Sequence, residues 1–220
     1  ETPVSVTALG AGALVEHGVS RLDDIEEMVP NLTFQRNPEG QDAMVRIRGI
    51  GTPRASIQFD PGVGIYVDGV FLPRASGGLI DVLDVQQIEV LRGPQGTLFG
   101  KNTVGGALNI STVRPHEDVE GSVLVRAGNF GMVNARGMLN LPIVEDRLLS
   151  RFAVSTARSN GDVYNEFLDE DLSGRDNLNF VGSLRYLALD DLIIDVTGSW
   201  SRSRSPGRGG QCKYIQPTGL

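Results

Sequence analysis

Cysteine and histidine are almost missing from this chain of 220 residues: Cys212 stands alone, and the two histidines, His17 and His116, lie far apart. So sparse a set assembles neither a Cys/His zinc cluster nor a Cys–His nucleophile pair. No GxSxG elbow, HExxH helix or EF-hand loop occurs, and no nucleophile, base and orienting group converge at a motif spacing. The chain is therefore read as no enzyme, with no metal or cofactor. Long apolar runs are lacking as well. Without about eighteen consecutive apolar residues there is no transmembrane helix, which leaves open a membrane protein that crosses with strands. The chain opens at Glu1 without the charged and apolar regions of a signal peptide, which reads as a lost beginning. Nor is there a basic excess: 20 Lys+Arg against 27 Asp+Glu leave a net charge of -7. The cations are scattered, which argues against a nucleic-acid partner. The acidic run Asp169-Glu170-Asp171 lacks the spaced ligands of a calcium loop and reads as a solvated face.

Glycine, by contrast, is plentiful. With 28 Gly, 40% hydrophobic and 21% charged residues, the composition is that of a folded chain holding one large domain or two modest ones. The glycines crowd into RGPQGTLFGKNTVGG, Arg92 to Gly106, which looks like a nucleotide-binding loop. A Walker loop needs Gly, four residues, then Gly-Lys-Ser/Thr, so that backbone N–H groups cradle phosphates while Lys and the hydroxyl complete the site. Here the first glycine position is Gln95 and the hydroxyl position is Asn102. The dinucleotide pattern fails too, because Gly49-Ile50-Gly51 is followed by Arg54, and Gly62-Val63-Gly64 by Val67, where a third glycine belongs.

Up to about Arg114 the pattern is mixed α/β. ETPVSVTAL reads as a short strand. From Ser20 to Pro30 the spacing predicts a helix: Ser20 caps it, Asp23, Asp24 and Glu26 crowd its positive end, and Leu22, Ile25, Met28 and Val29 form one apolar face. Short strands are expected at Ala43 to Arg48, Val63 to Val67, Gln87 to Leu91 and Ala107 to Val113, separated by Gly/Pro punctuation. The connections are long for a compact domain, and loops of that length are commonly functional.

After His116-Glu117-Asp118 a period-two alternation takes over. Val133, Ala135, Gly137, Leu139 and Leu141 share one face, while Asn134, Arg136, Met138 and Asn140 share the other. Arg151 and Ser155 oppose Phe152 and Val154. Phe180, Leu184, Tyr186 and Ala188 oppose Asn179, Ser183 and Arg185, and Ile194, Val196 and Trp200 oppose Asp195, Thr197, Ser199 and Ser201. With Ser122 to Ala127 that makes five antiparallel strands. A soluble sheet with one wet face is the commoner source of such alternation. The connections favour a transmembrane barrel instead, since PIVEDR and LDD are short while those from about Ser159 to Asn177 and beyond Ser203 are long and polar. Tyr186 and Trp200, late in their strands, suit an aromatic girdle.

On PVSVTAL, VRIRGIG (Val45 to Gly51), IYVDGV (Ile65 to Val70) and above all IEVLRGPQGTLFGKNTVGGALNISTVRP (Ile88 to Pro115), the first 115 residues resemble the plug domain of TonB-dependent outer-membrane receptors. EGSVLVRAGNFG, NLPIVEDRL and RSNGDVYN are similar to the strands that follow in that family. The resemblance implies an α/β (α+β) plug over 1–115 and the first strands of an antiparallel transmembrane β-barrel over 116–220. The glycine-rich stretch then becomes a turn system, with Gly93, Pro94, Gly100, Gly105 and Gly106 as its structural positions, and Gly49 is a further structural turn position after Arg48. Barrels of large plugged transporters need about 22 strands of about ten residues each, so this chain leaves the barrel open. It reads as a fragment, without the TonB-binding segment in front or most of the barrel behind.

The family also implies a function: import of a scarce solute across the outer membrane of a Gram-negative bacterium, energised by TonB, with a ferric siderophore or other iron complex as the first candidate cargo. Cargo contacts in the family come from apical plug loops, which match Gln35 to Asp42, Thr52 to Gly62 and Phe71 to Ser76. Arg36, Arg54, Gln58, Phe71 and Arg74 are the expected side chains, as cationic donors and an aromatic suit an anionic, ring-bearing cargo. Arg48 and Arg92 match plug arginines that pair with wall glutamates beyond Leu220; a local pair with Glu89 or Asp84 is the alternative. A signalling receptor or binding protein, or import of a saccharide or cobalamin, remains open. Cys212 falls in a loop expected on the cell exterior, where a disulfide to a cysteine beyond Leu220 is expected.

Overall fold

The computed structural model describes residues 5–36, 42–51, 60–73, 75–76, 83–161, 163–166, 169–189 and 191–204. Two β-structures follow one another along the chain. The first is a sheet in the order β1-β8-β9-β5-β6, built from β1 (Ser5–Gly10), β5 (Val63–Val67), β6 (Val70–Leu72), β8 (Val85–Arg92) and β9 (Gly106–Thr112). Its pairings are antiparallel except that between β5 and β9, which is parallel. A small second sheet joins β2 (Leu32–Arg36), β3 (Asp42–Ile47), β4 (Ile50–Gly51) and β7 (Ala75–Ser76).

One apolar core holds this N-terminal unit together. Ile25, Ile47, Ile88, Val90 and Leu108 are completely excluded from solvent, joined by Leu14, Leu22, Val29 and Leu32. The expected helix exists, but it is a short 3-10 helix, Leu22–Glu27, with Arg21 at the N-cap position. The predicted Ser20 cap is corrected. The Asp24 carboxylate accepts the N–H groups of Ser20 and Arg21, both at 2.8 Å, and the Ser20 hydroxyl donates to it at 3.0 Å. The acidic residue is the better acceptor for exposed amides, and it reaches back from inside the turn. Two short α-helices, α1 (Ala11–Glu16) and α2 (Gly96–Phe99), complete the unit.

The second structure is a five-stranded antiparallel sheet, β10-β11-β12-β15-β16. Its strands are β10 (Glu120–Gly128), β11 (Met132–Val144), β12 (Leu148–Ser159), β15 (Arg175–Leu189) and β16 (Leu192–Arg204). A two-stranded hairpin, β13 (Val163–Asn165) with β14 (Glu170–Leu172), stands between β12 and β15. The register puts Gly137, Val154, Phe180 and Trp200 in one row of the first face and Asn140, Arg151, Ser183 and Thr197 in one row of the other. The alternation seen in the sequence is therefore real in space. On the polar face, hydroxyls and amides bridge neighbouring strands: Ser183 with Thr197 at 3.0 Å, Ser201 to Asn179 at 2.7 Å, Ser203 to Asn177 at 2.7 Å. The opposite face is apolar and open, with Phe152, Val154, Phe180, Ile194, Val196 and Trp200 all exposed. Tyr186 and Trp200 lie on that face toward opposite ends of the strands. No described helix is long and apolar enough to cross a membrane, which leaves strand crossing untouched.

Candidate functional site: loop bases and the junction between the sheets

The loops expected to hold a ligand have their bases drawn together. Arg36 at the end of β2 pairs with Ala43, Ala43 pairs with Ala75 of β7, and Asp42 pairs with Ser76. The ends of the second loop, Thr52 to Gly62, meet backbone to backbone, since a Cβ on Gly62 would lie 3.1 Å from the Gly51 Cα. Of the five predicted contact residues, Arg54, Gln58 and Arg74 lie outside the described residues, and of Arg36 only the backbone is described. Phe71 is half-buried, its ring 5.4 Å from that of Tyr66, which lies 4.9 Å from Phe99. Tyr66 also donates its hydroxyl to the Phe99 carbonyl, and burial pushes its phenol pKa up. Phe71 thus reaches the glycine-rich turn through Tyr66, while it begins the third of the predicted loops.

That turn is built by backbone geometry. The Gly93 N–H donates to the Gly105 carbonyl at 3.1 Å, the Gln95 N–H to Thr103 at 3.0 Å and the Gly105 N–H to Gly62 at 2.8 Å. Gly106 has φ 145, and a Cβ there would strike the Leu91 carbonyl oxygen. Only glycine is free of strain at that position. Arg92, just before the turn, places its guanidinium on β1 hydroxyls, at 2.7 Å from Thr7 and 3.3 Å from Ser5. Arg48 is exposed, at φ 52, and its N–H donates to the Asn31 carbonyl at 2.8 Å. The carboxylates offered as local partners are otherwise engaged: Glu89 accepts from Gln87 at 3.0 Å and from Asn109 at 2.8 Å, and Asp84 reaches across to the long sheet.

Asp84 and Arg151 form the main side-chain link between the two structures. Arg151 Nε lies 2.7 Å from Asp84 Oδ2 and Nη2 lies 2.7 Å from Oδ1, a two-pronged pair with side chains only 4% and 10% exposed. Arg151 Nη1 also reaches Glu120 Oε2 at 3.2 Å and His116 Nε2 at 3.4 Å. Removing one partner of such a buried pair costs about 3–5 kcal/mol, because it strands the other charge. Next to it, fully buried Asn140 fastens the connection between β9 and β10. Its Oδ1 accepts the His116 N–H at 3.2 Å, and its amide donates to the carbonyls of His116 at 2.8 Å and Asp118 at 2.6 Å. Arg136 donates to the Ser20 carbonyl at 2.7 Å and Arg126 to Gly18 at 3.4 Å. Sequence reasoning placed Arg151 on the polar face but did not pair it. The signal was a guanidinium facing inward from a strand, which demands a carboxylate. Among the described residues no three His, Cys, Asp or Glu side chains gather as a metal site.

Comparison with known proteins gives concordant results. Residues 1–107 match the model of the TonB-dependent receptor plug domain. The chain is 30% identical over 96% of its length to the pesticin receptor of Yersinia pestis. It is 25% identical over 88% of its length to the vitamin B12 transporter of Vibrio vulnificus. In three dimensions it resembles the ferric yersiniabactin uptake receptor of Yersinia pestis, with a TM-score of 0.81 and 29% identity over 92% of this chain and 32% of that one. The chain spans 31% of the length of both curated relatives.

Proposed function

This chain belongs to the TonB-dependent receptors, and from that premise we propose that it serves energy-coupled import across the outer membrane of a Gram-negative bacterium, with a ferric siderophore or another iron complex as cargo. In this reading residues 1–115 are the plug and residues 116–220 the first strands of the barrel wall. The observation that carries it is one continuous chain in which a plug-like unit, its loop bases gathered at one end, is fastened to a sheet with one polar and one bare apolar face. A sheet of that kind suits lipid on its outer side and a plug within.

TonB is the energy-coupling partner, acting from the periplasmic side to open a path past the plug. Arg36, Arg54, Gln58, Phe71 and Arg74 are the side chains assigned to cargo, and Arg48 and Arg92 those assigned to wall carboxylates beyond Leu220. Phe71, half-buried beside Tyr66, serves through the part of its surface that remains exposed.

Uptake of radio-iron supplied as a ferric siderophore, in cells with and without the gene and with and without a protonophore, tests the reading. Uptake that needs both the gene and the proton gradient is expected. Iron uptake indifferent to the gene overturns the iron assignment, and cyanocobalamin uptake lost in its place would assign the cargo to cobalamin.

A further inference from the structure

The geometry points to Asp84, Arg151 and Asn140 as positioning residues that hold the plug in the closed pore by its last strands and its exit linker, with the wall supplying the cation and the plug the carboxylate. Asp84 stands just ahead of β8 at φ 54, a backbone state that Asn and Asp tolerate best among residues with a side chain. Its carbonyl accepts the Val113 N–H at 3.0 Å, at the exit of β9, while its carboxylate grips Arg151 on β12. One residue thus joins the start of β8, the end of β9 and the wall. Asn140 on β11 completes the fastening by holding two carbonyls, those of His116 and Asp118, in the linker that leads to β10. Glu120 contacts only the third nitrogen of Arg151 and is half exposed, so it is an accessory to the pair. The contacts at Gly18 and Ser20 differ in kind, since there an arginine meets a backbone carbonyl.

The proposal rests on the plugged-pore reading for its assay, but not on the identity of any cargo. The test uses the full-length receptor in cells lacking the wild-type copy. It reads entry of vancomycin, which an intact outer membrane excludes, and folded receptor by heat-modifiable electrophoretic mobility. Asp84→Asn keeps the backbone state and the side-chain shape while removing the charge, and it leaves the wall untouched. Asp84→Asn and Arg151→Met are each expected to admit vancomycin several-fold faster at normal folded amounts, and Glu120→Gln much less. Because the two act through one contact, the double variant is expected to leak no more than the worse single one. Wild-type tightness of the folded Asp84→Asn receptor overturns the proposal, as do leaks that multiply in the double variant. Should Arg151→Met fail to insert, Asp84→Asn and Asn140→Ala decide as single variants: a leak from each at normal folded amounts supports the proposal, and wild-type tightness of either overturns it. A wild-type receptor that imports no iron, with variants that leak, leaves the anchor standing and removes only the cargo reading.

Discussion

Ile88 and Ile194 are the same residue type in β-strands of one chain, yet Ile88 is wholly excluded from solvent and Ile194 is 44% exposed. The contrast extends to their surroundings. The plug buries its apolar side chains in one core, as a water-soluble domain does, whereas the long sheet turns its apolar face outward and its Asn, Ser and Thr side chains toward each other. Water organises the first region. The second makes physical sense only where something apolar replaces water on one side. Amino-acid composition alone would not separate the two; the position of each side chain on its strand does.

Paired substitutions in the full-length receptor sharpen this comparison, and the largest effect is expected at glycines. Gly106→Ala drives a Cβ into backbone and is expected to cost more than about 4 kcal/mol, abolishing plug folding. Gly198, with open space around it, accepts Ala at a gain of about 0.5–1 kcal/mol. Protease resistance of the plug reads the first, and refolding yield of the receptor in vesicles reads the second. Next come the isoleucines: Ile88→Ala is expected to cost about 2–5 kcal/mol in denaturant titrations of the folded receptor, and Ile194→Ala much less. Equal losses would mean that Ile194 is buried against protein, and the comparison would break.

A charge on the outer face follows. Val154→Arg is expected to cost about 2–4 kcal/mol when the receptor folds into vesicles, as for a residue near the bilayer midplane. Refolding yields unaffected by this change would remove lipid as the partner of that face. The smallest effect belongs to a surface turn: Asp24→Ala releases the amides of Ser20 and Arg21 and is expected to cost about 0.5–2 kcal/mol, seen as a modest fall in the plug's melting temperature with the wall unchanged.

What could be read from the sequence follows the same divide. In the wall, period two is a one-dimensional signal, so the opposition of Phe152 and Val154 to Arg151 and Ser155 was legible residue by residue. In the plug, Ile88, Val90 and Leu108 were visible as strands, but α1, whose Ala11–Glu16 includes Gly12 and Val15, carries little helical signal and escaped. So did β4, β6 and β7, which are too short to show a period, and β2, whose Leu32–Arg36 mixes Leu and Phe with Thr, Gln and Arg just after the helix stop at Pro30. The pairing of Asp84 with Arg151 crosses 67 positions and depends on how the two sheets meet. No local pattern encodes that. Arg54, Gln58 and Arg74, and the loop with Cys212, lie outside the described residues.

The place of β9 in its sheet has a consequence in time. It comes last among the plug strands in the chain, yet it lies between β8 and β5, and its pairing with β5 is parallel, so that Val63 meets Gly106 and Val67 meets Ile110. Contacts so distant in sequence are slow to form, because the intervening chain must first be gathered in. Until residues 106–112 arrive, no strand connects the β1–β8 pair with the β5–β6 pair, and the core lacks Leu108 and Ile110. The plug therefore cannot finish folding ahead of its own exit. Its closing strand lies only a few residues before β10, so the last strand to complete the plug is the next neighbour along the chain of the first strand of the wall.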